Sequence, residues 1–263
     1  MVLTILNRCC LLPNLPTHIH FALNALDEVS GNIGHSNADE YLPVYLLGAT
    51  APDIRVITRK DRSLYHFVQL DFKAVGDGVK NLQRIYPHWQ DISGCDIKTR
   101  AFMAGYVSHL ILDETWITNV FRPFFEDQEV FESRSEALIM DRAMQLELDR
   151  TNWESVSANL DFMRNADVKL EVDFFPTEYL HEWRDWVVGL LAKGFTWDRL
   201  RFMAQRISKN ESHNKVGAIA ETFLLNPTQS TTHLLEKFPD DLIRDFSINS
   251  HKNMVSAVNN FLI

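Results

Sequence analysis

Seventeen residues, Arg100-Ala-Phe-Met-Ala-Gly-Tyr-Val-Ser-His-Leu-Ile-Leu-Asp-Glu-Thr-Trp116, constrain this chain more than any others. Their apolar pattern is helical, and residues four apart share one helical face. His109 and Asp113 therefore project side by side, on a stripe with Phe102, Gly105, Tyr106 and Trp116. An imidazole and a carboxylate buried among aromatics are costly unless something compensates them. A hydrogen-bonded pair would do so in part. A metal ion would do so more fully, because neutral imidazole and carboxylate are its usual ligands. Gly105, one turn before His109, weakens the helix but lets another backbone approach closely.

The rest of the chain is also helical in period. From residue 17 onward the pattern predicts helices beginning at Pro16-Thr17, over Ala38 through Ala51, and within Leu64–Tyr86, where Gly76 and Gly78 weaken the middle. Further helices are expected over Ser133–Arg150, Glu178–Ala192, Thr196–Ser208 and Glu211–Leu225, with shorter ones inside Thr232–Phe246 and His251–Leu262. Polar or charged loops are expected at Ser30–Asn37 and Ile54–Ser63, and a turn at Asp91–Asp96. No run alternates with period two, and no internal repeat or low-complexity linker appears. Ten glycines and nine prolines in 263 residues are few, which favours long helices over many short strands. The expected architecture is all-α: one multi-helix domain over residues 14–263, preceded by a short extension over residues 1–13.

That extension is apolar but lacks a basic first segment, and Arg8 interrupts it. It reads as neither a secretory signal nor a membrane span, and no other apolar run is long enough to span. Three cysteines, two of them adjacent at Cys9 and Cys10, make neither a disulfide framework nor a thiolate zinc site. A cytoplasmic protein is expected. The formal net charge of −9 argues against bulk nucleic-acid binding, which rests on phosphate neutralisation.

Three further segments carry metal-ligand chemistry. Thr17-His18-Ile-His20 opens the first helix, Leu47-Gly-Ala-Thr-Ala-Pro-Asp53-Ile closes the second, and Tyr65-His66-Phe opens the third. Each has a plain structural alternative: a helix-start histidine, a capping aspartate and a satisfied core histidine. His20, two residues from His18, points elsewhere on the helix and is expected to support the site at most from outside it. Trp183, Trp186 and Trp197 have helical spacing and read as core. The chain has no His-Glu-x-x-His, Walker loop, Gly-x-Gly-x-x-Gly, nucleophile elbow or adjacent His-Asp pair.

Taken in order, Thr-His, Gly-Ala-x-Ala-Pro-Asp-Ile, His-Phe and Ala-Gly-Tyr-Val-Ser-His-x-x-x-Asp-Glu-x-Trp resemble the zinc-dependent phospholipase C family. This family includes bacterial zinc phospholipases C and relatives of the amino-terminal domain of glycosylphosphatidylinositol-specific phospholipase D. The zinc single-strand nucleases are more distant. The resemblance covers roughly residues 14 to 120. It implies an all-helical fold with a metal cluster at helix ends. It further implies that Asp53, His66, His109 and Asp113 bind one zinc, and that His18 binds a second with Asp113 bridging. Iron or manganese would also accept such donors. The better-known enzymes carry another His soon after the His-x3-Asp segment and a His-x3-Glu on a later helix. Here Trp116-Ile-Thr-Asn119 has no His, and no His-x3-Glu follows. One or two ions are therefore expected. Glu114, Asp141 and Glu147 offer themselves as substitute ligands, but each also reads as a solvated helical carboxylate.

The implied activity is hydrolysis of a phosphoester, with a small phosphorylated or phospholipid substrate and Asp53 as the base for the attacking water. The alternative is a non-catalytic helical scaffold that keeps a metal for stability or binds a ligand. Between Asp53 and His66 the chain carries Arg55, Arg59, Lys60 and Arg62, an unusual basic density in an acidic protein. Guanidinium groups match phosphate oxygens in pairs. Arg55, Arg59 and Arg62 are thus candidate substrate-binding residues, Arg55 first because it lies two residues from Asp53.

Overall fold

The computed structural model describes residues 14–33, 38–126, 130–170, 172–174, 176–208 and 213–263, without the side chains of 38, 39, 208, 213 and 214. Helix α1 spans Leu15–Ile33 and α2 spans Ala38–Gly48. A 3₁₀ turn, Ala51–Ile54, leads into the one-turn helices α3, Arg55–Thr58, and α4, Ser63–His66. Then come α5, Asp77–Ile85, and the central helix α6, Ile97–Trp116, which continues without a break as a π-helix over Ile117–Glu126. The second half holds α7 (Arg134–Thr151), α8 (Trp153–Ala158), α9 (Leu160–Arg164), α10 (Thr177–Leu191), α11 (Arg199–Ser208), α12 (His213–Leu224), α13 (Pro227–Leu235) and α14 (Leu242–Leu262). Among the described residues there is no strand, so the chain is all-α as its periodicity predicts. No described helix is long and apolar enough to cross a membrane.

Helix α6 starts at Asp96, whose carboxylate accepts from the amides of Lys98 and Thr99. This is an N-cap that satisfies two otherwise orphaned donors. From Ala101 to Trp116 every residue of α6 is buried, because α2, α14 and α1 surround it. The approach of α2 is set by two glycines. A Cβ built on Gly105 would lie 2.0 Å from the carbonyl oxygen of Tyr45, and one on Gly48 would lie 2.1 Å from that of Phe102. Only hydrogen fits at either place, which is the close backbone approach expected of Gly105. One continuous apolar core runs from Leu15 of α1 to Leu262 of α14.

Several element boundaries differ from the sequence expectation. The expected helix within Leu64–Tyr86 is two helices, α4 and α5, separated by Phe67 in the left-handed region (φ 60°) and Gly76 at φ 96°. The cause is tertiary: the carboxylate of Glu114 takes the amides of Gly76 and Gly78 and so fixes the start of α5. The expected loop Ile54–Ser63 contains α3, α1 runs on to Ile33, and the last two helices are α13 and one long α14. The apolar pattern gives no sign of the π-helix over Ile117–Glu126. The expected extension over residues 1–13, and residues 34–37 of the first loop, lie outside the described residues.

Candidate metal centre

Four elements bring the candidate ligands together. His18 lies in the first turn of α1, Asp53 in the 3₁₀ turn after α2, His66 at the end of α4, and His109 and Asp113 one turn apart on α6. Each position is fixed from outside the cluster. The start of α1 is held by Asp149 of α7, which accepts from the amide of Thr17 at 3.2 Å and from its hydroxyl at 2.8 Å. The 3₁₀ turn is held by Trp183 of α10, whose indole N–H donates to Thr50 Oγ1 at 3.1 Å. Tyr106 O–H donates to the carbonyl of Tyr65, the residue before His66.

The two central histidines have determined tautomers. His109 Nδ1 lies 2.9 Å from the carbonyl oxygen of Ala49, and His66 Nδ1 lies 3.3 Å from that of Arg62. A carbonyl can only accept, so both Nδ1 atoms carry hydrogen and both Nε2 atoms are left facing the cluster. Those Nε2 atoms are 3.3 Å apart. Asp113 Oδ2 lies 3.1 Å from His66 Nε2 and 3.6 Å from His109 Nε2. In a tetrahedral zinc site with ligands at about 2.0–2.1 Å, donor atoms stand about 3.3 Å apart. The three atoms thus form one face of a tetrahedron of the right size, and the donor set suits zinc.

His18 and Asp53 sit at the margins of this face. His18 stacks on His109 with ring centroids 3.6 Å apart, and its Nε2 lies 3.2 Å from Asp113 Oδ1. That approach lacks hydrogen-bond geometry: both ring nitrogens of His18 and Asp113 Oδ1 are buried without a hydrogen-bond partner among the described residues. Each such orphan costs about 1–3 kcal/mol, and a cation removes that cost. Asp53 Oδ1 stands 3.9 Å from His66 Nε2. His18, Asp53 and His109 form a second group whose ligand atoms are mutually close enough for one ion. The side chains of His18, His66, His109 and Asp113 are at most 1% exposed, against 26% for Asp53. The centre therefore opens to solvent on the Asp53 side.

Electrostatics bind the cluster together. Burial would raise the Asp113 carboxyl, but His109 above all, with His18 and His66 packed beside it, outweighs this and holds the group well below its usual range. Burial would likewise lower His109, yet the charge of Asp113 raises it. Burial keeps His66 well below its usual value, and the Arg62 guanidinium adds to the effect. Burial also lowers His18, with His109 adding to it.

The basic segment is less uniform than its sequence. Arg55 is half-exposed on α3, and Arg59 is exposed at the end of α3 in the left-handed region. Arg62 departs from the expectation of a phosphate-facing loop residue. Its side chain is buried, Nη2 donates to Asp113 Oδ2 at 2.9 Å and Nη1 to the carbonyl of Val68 at 3.3 Å. A charged carboxylate without solvent recruits the nearest cation.

The suggested substitute ligands do not join the centre. Glu114 is buried rather than solvated, and its oxygens serve Gly76 and Gly78; burial pushes its carboxyl up to about 7. Asp141 is also buried, accepting from Trp116 Nε1 at 3.0 Å and pairing with Arg142. Glu147 pairs with Arg150. His20 turns away, its ring 2.9 Å from Ser155 Oγ on α8. Trp183 is core, whereas Trp186 and Trp197 are half-buried against it. Sequence reasoning missed Thr50, Asp149 and Trp183 as supports. Only Trp183 carried a signal, as an aromatic with a polar tip, and its partner lies 133 residues away.

A family model described as zinc-dependent phospholipase C matches residues 17–183. The match extends well beyond the quoted motifs, which end near residue 120, and it ends at the tryptophan that braces the Asp53 turn. No curated protein and no solved structure matches the chain. With a family model covering well over half of its length, the chain belongs to the zinc-dependent phospholipase C family.

Proposed function

We propose that this protein is a zinc-dependent hydrolase of a phosphoester, with a phospholipid or a small phosphorylated molecule as substrate. The observation that carries the reading is the triangle of His66 Nε2, His109 Nε2 and Asp113 Oδ2, spaced at 3.1–3.6 Å with both Nδ1 protons already committed to carbonyls. His18 and Asp53 complete the set of five proposed ligands. A bound zinc ion would supply a water acidified towards neutrality and would stabilise charge on phosphoryl oxygens.

The chain's own residues would supply the rest. Asp53 is the one partly exposed carboxylate among the five proposed ligands, so an oxygen of it can take a proton from a water at the open side. Arg55 begins the helix after Asp53 and reaches solvent. Its guanidinium can orient an anionic phosphate toward the opening, and Arg59 lies one helical turn further on. Iron or manganese would fit the same donors.

The test is a screen of phosphodiester, phosphomonoester and phospholipid substrates, run with zinc added and then chelated. Turnover that chelation abolishes and zinc restores is expected, and is to be absent from the His109→Ala, Asp113→Ala double variant. Stoichiometric metal without turnover of any substrate would overturn the hydrolase reading in favour of a metal-holding scaffold.

A further inference from the structure

The buried guanidinium of Arg62 lies inside the metal centre. Its Nη2 is 2.9 Å from Asp113 Oδ2, the same oxygen that stands 3.1 Å from His66 Nε2. Its Nη1 is held by the carbonyl of Val68, and its Nε has no hydrogen-bond partner among the described residues. Arg62 is thus held at both ends of its fork, by the Asp113 carboxylate at one and the Val68 carbonyl at the other. It cannot swing out to a substrate without leaving Asp113 buried beside an empty position.

Two groups of donors could each hold an ion: His66, His109 and Asp113, or His18, Asp53 and His109. Both draw on His109. Its Nδ1 is committed to the Ala49 carbonyl, so only Nε2 can ligate, and one lone pair serves one ion. A second ion would therefore have to rest on His18 and Asp53 without His109, with Asp113 Oδ1, 3.2 Å from His18 Nε2, as the remaining unpartnered oxygen. Charge is what stands against it. The cluster holds two carboxylates, Asp53 and Asp113, and one fixed guanidinium, which is paired with Asp113, and the imidazoles bring no charge when they ligate. One divalent ion leaves the cluster with a single excess positive charge. A second would leave three, in a site that is almost fully buried. Glu114 offers no relief as a ligand, since both of its oxygens accept backbone amides.

We infer that Arg62 takes the place of a second cation, so that this centre holds a single divalent ion with the guanidinium as its built-in counter-charge to Asp113. Arg62 is on this account a positioning residue, not a substrate-binding one. The inference rests on the reading of the cluster as a metal site.

The experiment counts ions. The purified full chain is stripped with chelator, reloaded with excess zinc, desalted and analysed for metal, and is titrated separately with cobalt(II) followed by its d–d absorption. The wild type is expected to saturate at one equivalent. Arg62→Gln, which keeps a hydrogen bond and loses the charge, is expected to take up a second equivalent, and Arg62→Lys to return to one. A wild type that saturates at two, or Arg62→Gln that also stops at one, overturns the inference and leaves the metal-site reading standing. A wild type that binds no metal overturns both. Should Arg62→Gln fail to fold, the wild-type saturation number alone decides.

Discussion

The carboxylate of Asp149 accepts both the amide and the hydroxyl hydrogen of Thr17, the residue before His18 and 132 positions away in the chain. A third bond comes from Asn14 Nδ2 at 3.0 Å. A side chain of α7 thereby does for α1 what a local N-cap normally does, and sets where the His18 ring points.

Burial, the largest influence, pushes the Asp149 carboxyl up to about 7, against the lowering pull of Thr17 and of Arg199. In the unfolded chain it titrates near 4. The folded state therefore binds this proton more tightly, and the linked stability is fully present below pH ~4 and lost as pH rises through about 7. Asp149→Asn cannot titrate. Measured by chemical denaturation, its stability relative to wild type should improve by roughly 2–3 kcal/mol between pH 5 and pH 7.5. Parallel stability curves across that range would show that Asp149 is not held in this way.

Gly105 is one of the two glycines at which α2 and α6 touch. Its built Cβ would also lie 2.7 Å from the amide nitrogen of Ala49, whose carbonyl orients His109. Gly105→Ala should therefore cost ~2 kcal/mol or more by overpacking and lower zinc occupancy in the same sample. Gly189 in α10 is the control, with nothing within 4 Å of its built Cβ. Gly189→Ala should stabilise by about 0.5–1 kcal/mol through helix propensity, with metal content unaltered.

Metal should stabilise the folded chain, because the five donors converge only there. At free zinc about 100-fold above its dissociation constant, the gain is roughly 2.7 kcal/mol. Thermal unfolding with and without chelator measures it: the wild-type midpoint should fall on chelation, and the midpoint of His66→Ala should fall far less. Equal shifts in the two proteins would place the ion elsewhere.

Arg55 and Arg62 should separate cleanly in mutagenesis. Arg55→Ala leaves the ligand triangle untouched, so metal content should match wild type while KM for an anionic substrate rises, by on the order of tenfold for the loss of a charge-assisted hydrogen bond. Metal analysis beside steady-state kinetics checks both halves. A wild-type KM in Arg55→Ala and Arg59→Ala alike would remove the basic segment from substrate binding.

His109, Asp113 and Gly105 were legible in the sequence because the information is local. Helical period fixes which residues share a face, and a polar pair on an apolar stripe marks itself. Asp53 and His66 were legible as residue types in motifs, but period alone says nothing about distance between segments. Asp53 comes to His109 because α2 lies against α6 at hydrogen-only separation, and His66 because Tyr106 of α6 holds the carbonyl of Tyr65. Tertiary structure alone decided the rest. Glu114 reads as a solvated carboxylate until the Gly76 and Gly78 amides are seen on it, and the same contact breaks the helix expected within Leu64–Tyr86. Arg62 reads as one of several loop cations until its burial pairs it with Asp113. Periodicity is a property of neighbours three and four apart, whereas the partner of a buried charge is whatever the folded chain brings within reach when water is removed. Local pattern was enough to specify an all-α chain carrying the donors of a candidate metal site; packing settled which charges were left facing one another inside it.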